Sequence, residues 1–300
     1  MKICLLALLQ LLAAAALFGQ MPHLSSGTLR RFEQFASKFV DPRTVDVWLP
    51  DGYPSAGKYA VLYMQDGQSL FDSAITWNHQ EWGVDETIGA LLRDKKIQPC
   101  IVVGIWNDGG YRHAEYFPQK AITYMNDSAR RELMPLLKND PRGDRYLKFL
   151  VRELKPFIDS SFATLQDPAH TFIMGSSMGG LISLYAICEY PELFSGAACL
   201  STHWTGIFRK ENNTIPSAIL AYLRDHLPDP GHHRIYFDHG TQTLDSMYGD
   251  FQLAVDSAMH AAGYTAKNEK SLVFGGADHS ENAWRKRLQI PVIFLLGLSP

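Results

Sequence analysis

The sequence predicts an α/β fold, a mostly parallel sheet with helices on both faces, and three observations predict it. First, short continuous apolar runs recur: "YAVLYM" at 59–64, "CIVVGIW" at 100–106, "TFIMG" at 171–175, "GAACLS" at 196–201, "RIYFD" at 234–238 and "KSLVFGG" at 270–276. Continuous runs mark strands buried on both sides, as in parallel sheets. Second, segments with helical spacing of apolar residues stand between them, and this alternation implies a doubly covered sheet. Third, "TLRRFEQFASKFV" and "RTVDVWLP" alternate apolar and polar residues around "DPR". That is the pattern of half-buried antiparallel strands, so the sheet is mixed at its leading edge.

The helical segments follow in order. "WGVDETIGALLRD" comes after the first apolar run, and "DRYLKFLVRELKPFIDSSF" sets Leu147, Leu150, Leu154 and Phe157 on one stripe. "GGLISLYAICEYP" and "YGDFQLAVDSAMHAAGY" repeat the spacing, the second stopping at Gly263. Two connections, residues 107–144 and 202–231, are longer than packing requires. Such segments are usually lids or binding loops, and each follows a strand, beside the carboxyl edge where open α/β sheets bind ligands. Tyr111, Tyr116 and Trp204 belong to these stretches, and Trp106 immediately precedes the first. They either stack on a sugar ring or an aromatic acyl group, or pack beneath the loops.

Composition narrows the class. With 46% hydrophobic and 20% charged residues over 300 positions the chain reads as globular, and it is large enough to bury a core without staples. A net charge of -3 without a basic cluster gives no electrostatic case for nucleic acid. "MKICLLALLQLLAAAALFGQ" has one Lys, an apolar middle and small residues beyond it, the pattern of a signal peptide over residues 1–20. It predicts a secreted or periplasmic protein without a stable membrane anchor, residues 21–300 forming a single domain. Cys100, Cys188 and Cys199 remain, and Cys100 and Cys199 read as small buried hydrophobes, with room for one disulfide at most. No Cys-x-x-Cys pair exists, and the adjacent histidines of "GHH" point apart, so neither metal nor cofactor is expected.

The chemistry centres on "TFIMGSSMGGLISLYAI", residues 171–187. Gly175-Ser176-Ser177-Met178-Gly179 fits Gly-x-Ser-x-Gly, flanked by a strand before and a helix after, as a serine exposed on a tight strand-to-helix turn requires. Ser176 lacks glycines at the needed positions, which leaves Ser177. A hydroxyl needs a base, and the base an orienting acid. On this kind of fold they follow in the order serine, acid, histidine. His279 in "GGADHSENAW" follows the last apolar run and is the expected base. Asp245, in the loop after "RIYFD", is the favoured acid, with Asp238 at the strand end as second choice. The amides of Met178 and Gln68 are the expected oxyanion donors.

With these residues placed, the chain resembles the esterase D-like family of α/β-hydrolases, which includes feruloyl and acetylxylan esterases, enterochelin esterase-like proteins and mycolyltransferases. The likeness spans about residues 28–295. It rests on "YMQDGQSLF", "WGVDE" (82–86), "GSSMGGLISLYAICEYPELFSGAACLS", "GTQTLD" and "HSENAWRKRL". It implies an α/β-hydrolase fold, Ser177 as nucleophile, His279 as base, and Met178 and Gln68 as oxyanion amides. Some members carry the acid directly after Gly-Thr-x, which is Thr243 here, so Asp245 and Asp238 both stay open. The leading expectation is a serine esterase acting through an acyl-enzyme on small-molecule or carbohydrate esters. The alternatives are an acyltransferase with the same three residues and an inactive binding protein on the same scaffold.

Overall fold

The computed structural model describes residues 20–298; all of the expected signal peptide except Gln20 lies outside them. One sheet of eight strands runs through the described chain. They are β1 (Thr28–Phe35), β2 (Arg43–Leu49), β3 (Ala60–Gln65), β4 (Cys100–Ile105), β5 (Thr171–Ser176), β6 (Gly196–Leu200), β7 (Arg234–Gly240) and β8 (Glu269–Phe274). Their order is β1-β2-β4-β3-β5-β6-β7-β8. β1 pairs antiparallel with β2, and β2 with β4; every other pairing is parallel. The mixed α/β sheet expected from the sequence is the one found.

Alternate residues of the buried strands feed two separate cores, as the twofold period of a strand dictates. Val61, Tyr63, Ile101, Val103, Ile173 and Phe237 face one side, while Leu62, Met64, Val102, Phe172, Met174 and Tyr236 face the other. Helix α1 (Val84–Arg93) covers the second side with Val84, Ile88 and Leu91. The first carries most of the remaining helices. These begin with α2 (Arg112–Tyr116), α3 (Asp127–Leu136), α4 (Gly143–Phe149) and α5 (Lys155–Ser161), the last two joined by a π turn at Leu150–Leu154. After β5 come α6 (Met178–Glu189), α7 (Ile215–His226) and α8 (Gly249–Ala261); the chain ends with α9 (Glu281–Arg285) and α10 (Gln289–Leu296). Among the described residues no helix is long and apolar enough to cross a membrane.

The segments at 107–144 and 202–231, read as loops, contain helices α2, α3 and α7. Helix α3 forms because Asn126 caps it, its side chain accepting from the Ala129 amide at 2.8 Å, and because Ala129 and Leu133 reach the core. Cys100, Cys188 and Cys199 are buried free thiols, and burial pushes the Cys100 thiol up to about 12.

The order of strands positions the site. From β3 the chain crosses to β4 on one flank, and from β5 it crosses to β6 on the other, so the order in which strands are added reverses between the parallel neighbours β3 and β5. Loops leaving those two strands diverge and open a crevice at their carboxyl ends.

Candidate active site

β5 ends at Ser176, and the chain turns at Ser177 with φ 57° and ψ -123° to enter α6. A non-glycine residue at positive φ costs about 1–3 kcal/mol and persists only where its surroundings over-determine it. Here the Ser177 amide donates to Leu200 O at 2.9 Å, and its carbonyl accepts from Gly180 at 3.0 Å and His203 at 3.2 Å. Gly175 is required by close approach: a Cβ there would stand 2.6 Å from the Gly179 carbonyl carbon and 2.8 Å from Gln65 Cγ.

Ser177 and His279 line the same cavity of about 500 Å³. Among the described residues no hydrogen bond joins the two side chains directly; both face the space a substrate would fill. His279 follows β8 and is anchored by its amide, which donates to Thr243 Oγ1 at 2.9 Å. Its Nδ1 lies 2.5 Å from Asp245 Oδ1, which leaves Nε2 for the cavity side. Trp284 meets the imidazole edge-on at a centroid distance of 5.1 Å.

Asp245 is held in a 3-10 turn, Thr243–Met247, just beyond β7. Its Oδ2 accepts from Ser201 Oγ and from the Gly240 amide, both at 2.6 Å. Burial by itself would raise this carboxyl, but the bonds from His279, Ser201 and Gly240 hold it below the usual carboxylate value. Asp238 lies on β7 itself and points elsewhere: its oxygens take Arg287 Nη2 at 2.9 Å and the Tyr236 hydroxyl at 2.8 Å. The fold therefore brings Asp245, and not Asp238, to His279.

Of the other histidines, His203 is tied to the nucleophile turn, its amide donating to the Ser177 carbonyl and its Nδ1 2.7 Å from the Tyr248 hydroxyl. Burial first, then the neighbouring His113 and His279, drive its pKa down to about 3, so it stays neutral. His233 spends both ring nitrogens on the carbonyls of Asp229 and Pro191.

Met178 opens α6, so its amide has no acceptor within the helix. Gln68 stands in the turn after β3 and lines the cavity. Asp66, left-handed at φ 56°, sets that turn. Arg112 grips it through Nε and Nη2 at 2.7 Å each, and Asn107 Nδ2 adds a third bond at 2.7 Å.

The four aromatic residues expected as stacking faces lie outside this lining. Trp204 is buried with its Nε1 on Gln252 Oε1 at 3.0 Å, and Tyr116 is buried against Tyr146. Tyr111 is covered by the Arg142 guanidinium at 3.4 Å, and Trp106 donates to Asp46 Oδ2 at 2.8 Å while Arg31 lies over its ring. Trp204 and Tyr116 thus pack beneath their loops, while Tyr111 and Trp106 are half-buried against guanidinium groups. The aromatic at the mouth is instead Trp77, which lines the cavity with 85% of its surface exposed. Its signal in the sequence is its setting, "TWNHQ", where polar neighbours leave no apolar stripe to explain a tryptophan.

Known proteins place this geometry. An endo-1,4-beta-xylanase/feruloyl esterase from Xylanibacter ruminicola is 25% identical over 280 residues, covering 89% of this chain and 31% of its own. The Bacillus subtilis protein YbbA is 26% identical over 164 residues, 54% of this chain and 58% of that protein. The chain thus spans less than two thirds of the length of these curated relatives. Among solved structures, a ferulic acid esterase superposes with a TM-score of 0.64 at 19% identity, covering 90% of this chain and 98% of that one. The enterochelin esterase of Shigella flexneri gives 0.63 at 17%, covering 92% and 59%. These likenesses show the α/β-hydrolase fold. Residues 36–295 match the profile of the family described as "Putative esterase", and the chain belongs to that family.

Proposed function

We propose that the protein is a serine carboxylic-ester hydrolase. The observation that carries this reading is the 2.5 Å His279–Asp245 contact behind a cavity whose wall also holds the positive-φ Ser177. In this mechanism Asp245 keeps the imidazole proton on Nδ1, so Nε2 accepts the Ser177 proton as Oγ attacks the ester carbonyl. The Met178 and Gln68 amides take the negative charge formed on the carbonyl oxygen. The intermediate collapses to an acyl-enzyme as His279 returns the proton to the leaving alcohol. Water then gives His279 a proton while its oxygen attacks the acyl carbon, and as the bond from that carbon to Ser177 Oγ breaks His279 passes the proton to Oγ, releasing the free acid.

The cavity lining supports a neutral polyhydroxylated or aromatic ester, in keeping with a carbohydrate-linked substrate. Trp77 offers an open ring face, while Gln68, Asn78, Gln80 and Asn107 present side-chain amides. Arg112, the guanidinium in that wall, is already matched by Asp66, so the site offers it to no anion. The apolar N-terminal segment supports export.

Labelling with a fluorescent organophosphonate tests the mechanism: the native chain should react and Ser177→Ala should not, and label surviving the substitution would overturn it. Product analysis with an added alcohol acceptor distinguishes hydrolysis, where free acid appears at an unchanged rate, from acyl transfer. Trp77→Ala should raise KM about tenfold for a feruloylated sugar, as the loss of a stacked face implies, and much less for ethyl acetate. Equal losses on both substrates would count against the platform.

A further inference from the structure

Ser201 follows β6 directly in a left-handed conformation, φ 43°, and is wholly buried. Its hydroxyl meets three groups: Asp245 Oδ2 at 2.6 Å, Trp284 Nε1 at 2.9 Å and Arg287 Nη2 at 3.0 Å. A hydroxyl has one proton and two lone pairs, while an indole N–H and a guanidinium can only donate. Trp284 and Arg287 therefore take the lone pairs, and the Ser201 proton has a single destination, the Asp245 carboxylate. The direction of this hydrogen bond is set by the chemistry of its neighbours rather than by rotamer preference.

The neighbours are themselves fixed. Arg287 Nη2 also bonds Asp238 Oδ1 at 2.9 Å, Asp238 Oδ2 accepts from Tyr236, and the Asp238 carbonyl accepts the Ser201 amide at 2.7 Å. Asp238, Arg287 and Ser201 stand outside the lining of the catalytic cavity, so none of the three is placed to touch a substrate there. Their effect reaches the reaction through Asp245. With Oδ2 taken by Ser201 and the Gly240 amide, the carboxylate cannot turn, and Oδ1 is presented to His279 Nδ1.

We propose that Ser201 is a positioning residue for the catalytic acid, and that Asp238, Arg287 and Trp284 form the scaffold that obliges it to donate. This rests on the esterase reading above, and it assigns a role to Asp238, the carboxylate that His279 does not touch. The test is Ser201→Ala, assayed for steady-state kinetics and for the far-downfield proton resonance of His279 Nδ1–H. Losing a hydrogen bond to a charged group should lower kcat about 10- to 100-fold with KM nearly unchanged. The resonance should broaden or move upfield, and Ser201→Thr, which keeps the hydroxyl, should recover part of both. A native kcat together with an unmoved resonance in Ser201→Ala would overturn the proposal. If that variant does not fold, Arg287→Lys keeps a cation opposite Asp238 while altering the donor to Ser201. The resonance should then shift partway, and an unmoved signal and kcat would again overturn it. Failure of the esterase reading looks different: the native protein would show no Ser177-dependent labelling, whereas the resonance reports the Asp245–His279 contact directly.

Discussion

Asp238 on β7 and Asp245 in the turn after it serve opposite ends of one network. Asp245 meets the imidazole, and Asp238 meets a buried guanidinium, so their substitutions should separate cleanly. Asp245→Asn should lower kcat by roughly four orders of magnitude, because an amide can hold the histidine in the wrong tautomer, with a smaller effect on stability. Asp238→Asn should instead cost about 3 kcal/mol in denaturant unfolding, since it leaves the buried Arg287 charge without its partner. Comparable unfolding midpoints for the two variants would contradict this division. The sequence could rank the two carboxylates only by distance from the strand. Which one reaches His279 depends on the 3-10 turn that carries Asp245 back toward the loop after β8, and no local pattern encodes that return.

The β5–Ser177–α6 unit was legible in advance because its chemistry is local. An apolar run, glycines at fixed offsets and an apolar helix can be arranged in few ways around an exposed serine. Gly175→Ala tests the packing of this unit: the added methyl meets the Gly179 backbone at 2.6 Å, and overpacking of this kind costs about 1–3 kcal/mol. Gly275→Ala is the matched control, since a Cβ there meets nothing within 4 Å, and it should change stability by less than about 0.5 kcal/mol. Equal losses would mean that glycine flexibility, not close approach, sets the cost. Helix α7 shows the opposite case. Ile215, Ala218, Ile219, Tyr222 and Leu223 carry a helical stripe that reaches the core, yet the polar segments on either side make the whole connection resemble a loop. The aromatic residues of the long connections could be read either way for a related reason. Trp204 and Tyr116 stand in polar-looking loops, but those loops fold back and bury them, whereas Trp77 is left outside.

Across the whole molecule, the segment following the expected signal peptide is tied to the α/β body through α1. The Ser25 amide donates to Asp85 Oδ2 at 2.6 Å, and Ser26 Oγ donates to the Asp85 carbonyl at 2.7 Å. Burial, reinforced by the neighbouring Glu86, raises the Asp85 carboxyl to about 7. The unfolded carboxyl titrates at ~3.9, so between about pH 4 and 7 the folded state binds the extra proton. This group's contribution to stability therefore falls as pH rises through that window, and the loss is complete above it. Asp85→Asn removes the titration and keeps an acceptor for Ser25. Its thermal midpoint relative to the native chain should rise between pH 5 and pH 8; a constant gap would rule out Asp85 as the source.

The sequence by itself determined the sheet and its leading antiparallel strands, and it singled out the serine and the histidine that the proposed mechanism uses. Each is written in a periodicity or a motif that acts over a few residues, and hydrophobic burial enforces it wherever the chain goes. Only the tertiary structure decided the acid, the aromatic at the cavity mouth and the Ser201–Arg287 scaffold. Those depend on side chains from the turn after β6, the loop after β7 and the helices after β8 converging on the Ser201 hydroxyl. Which hydroxyl, carboxylate and guanidinium meet there follows from strand order and register, and neither can be read from any one stretch of the chain.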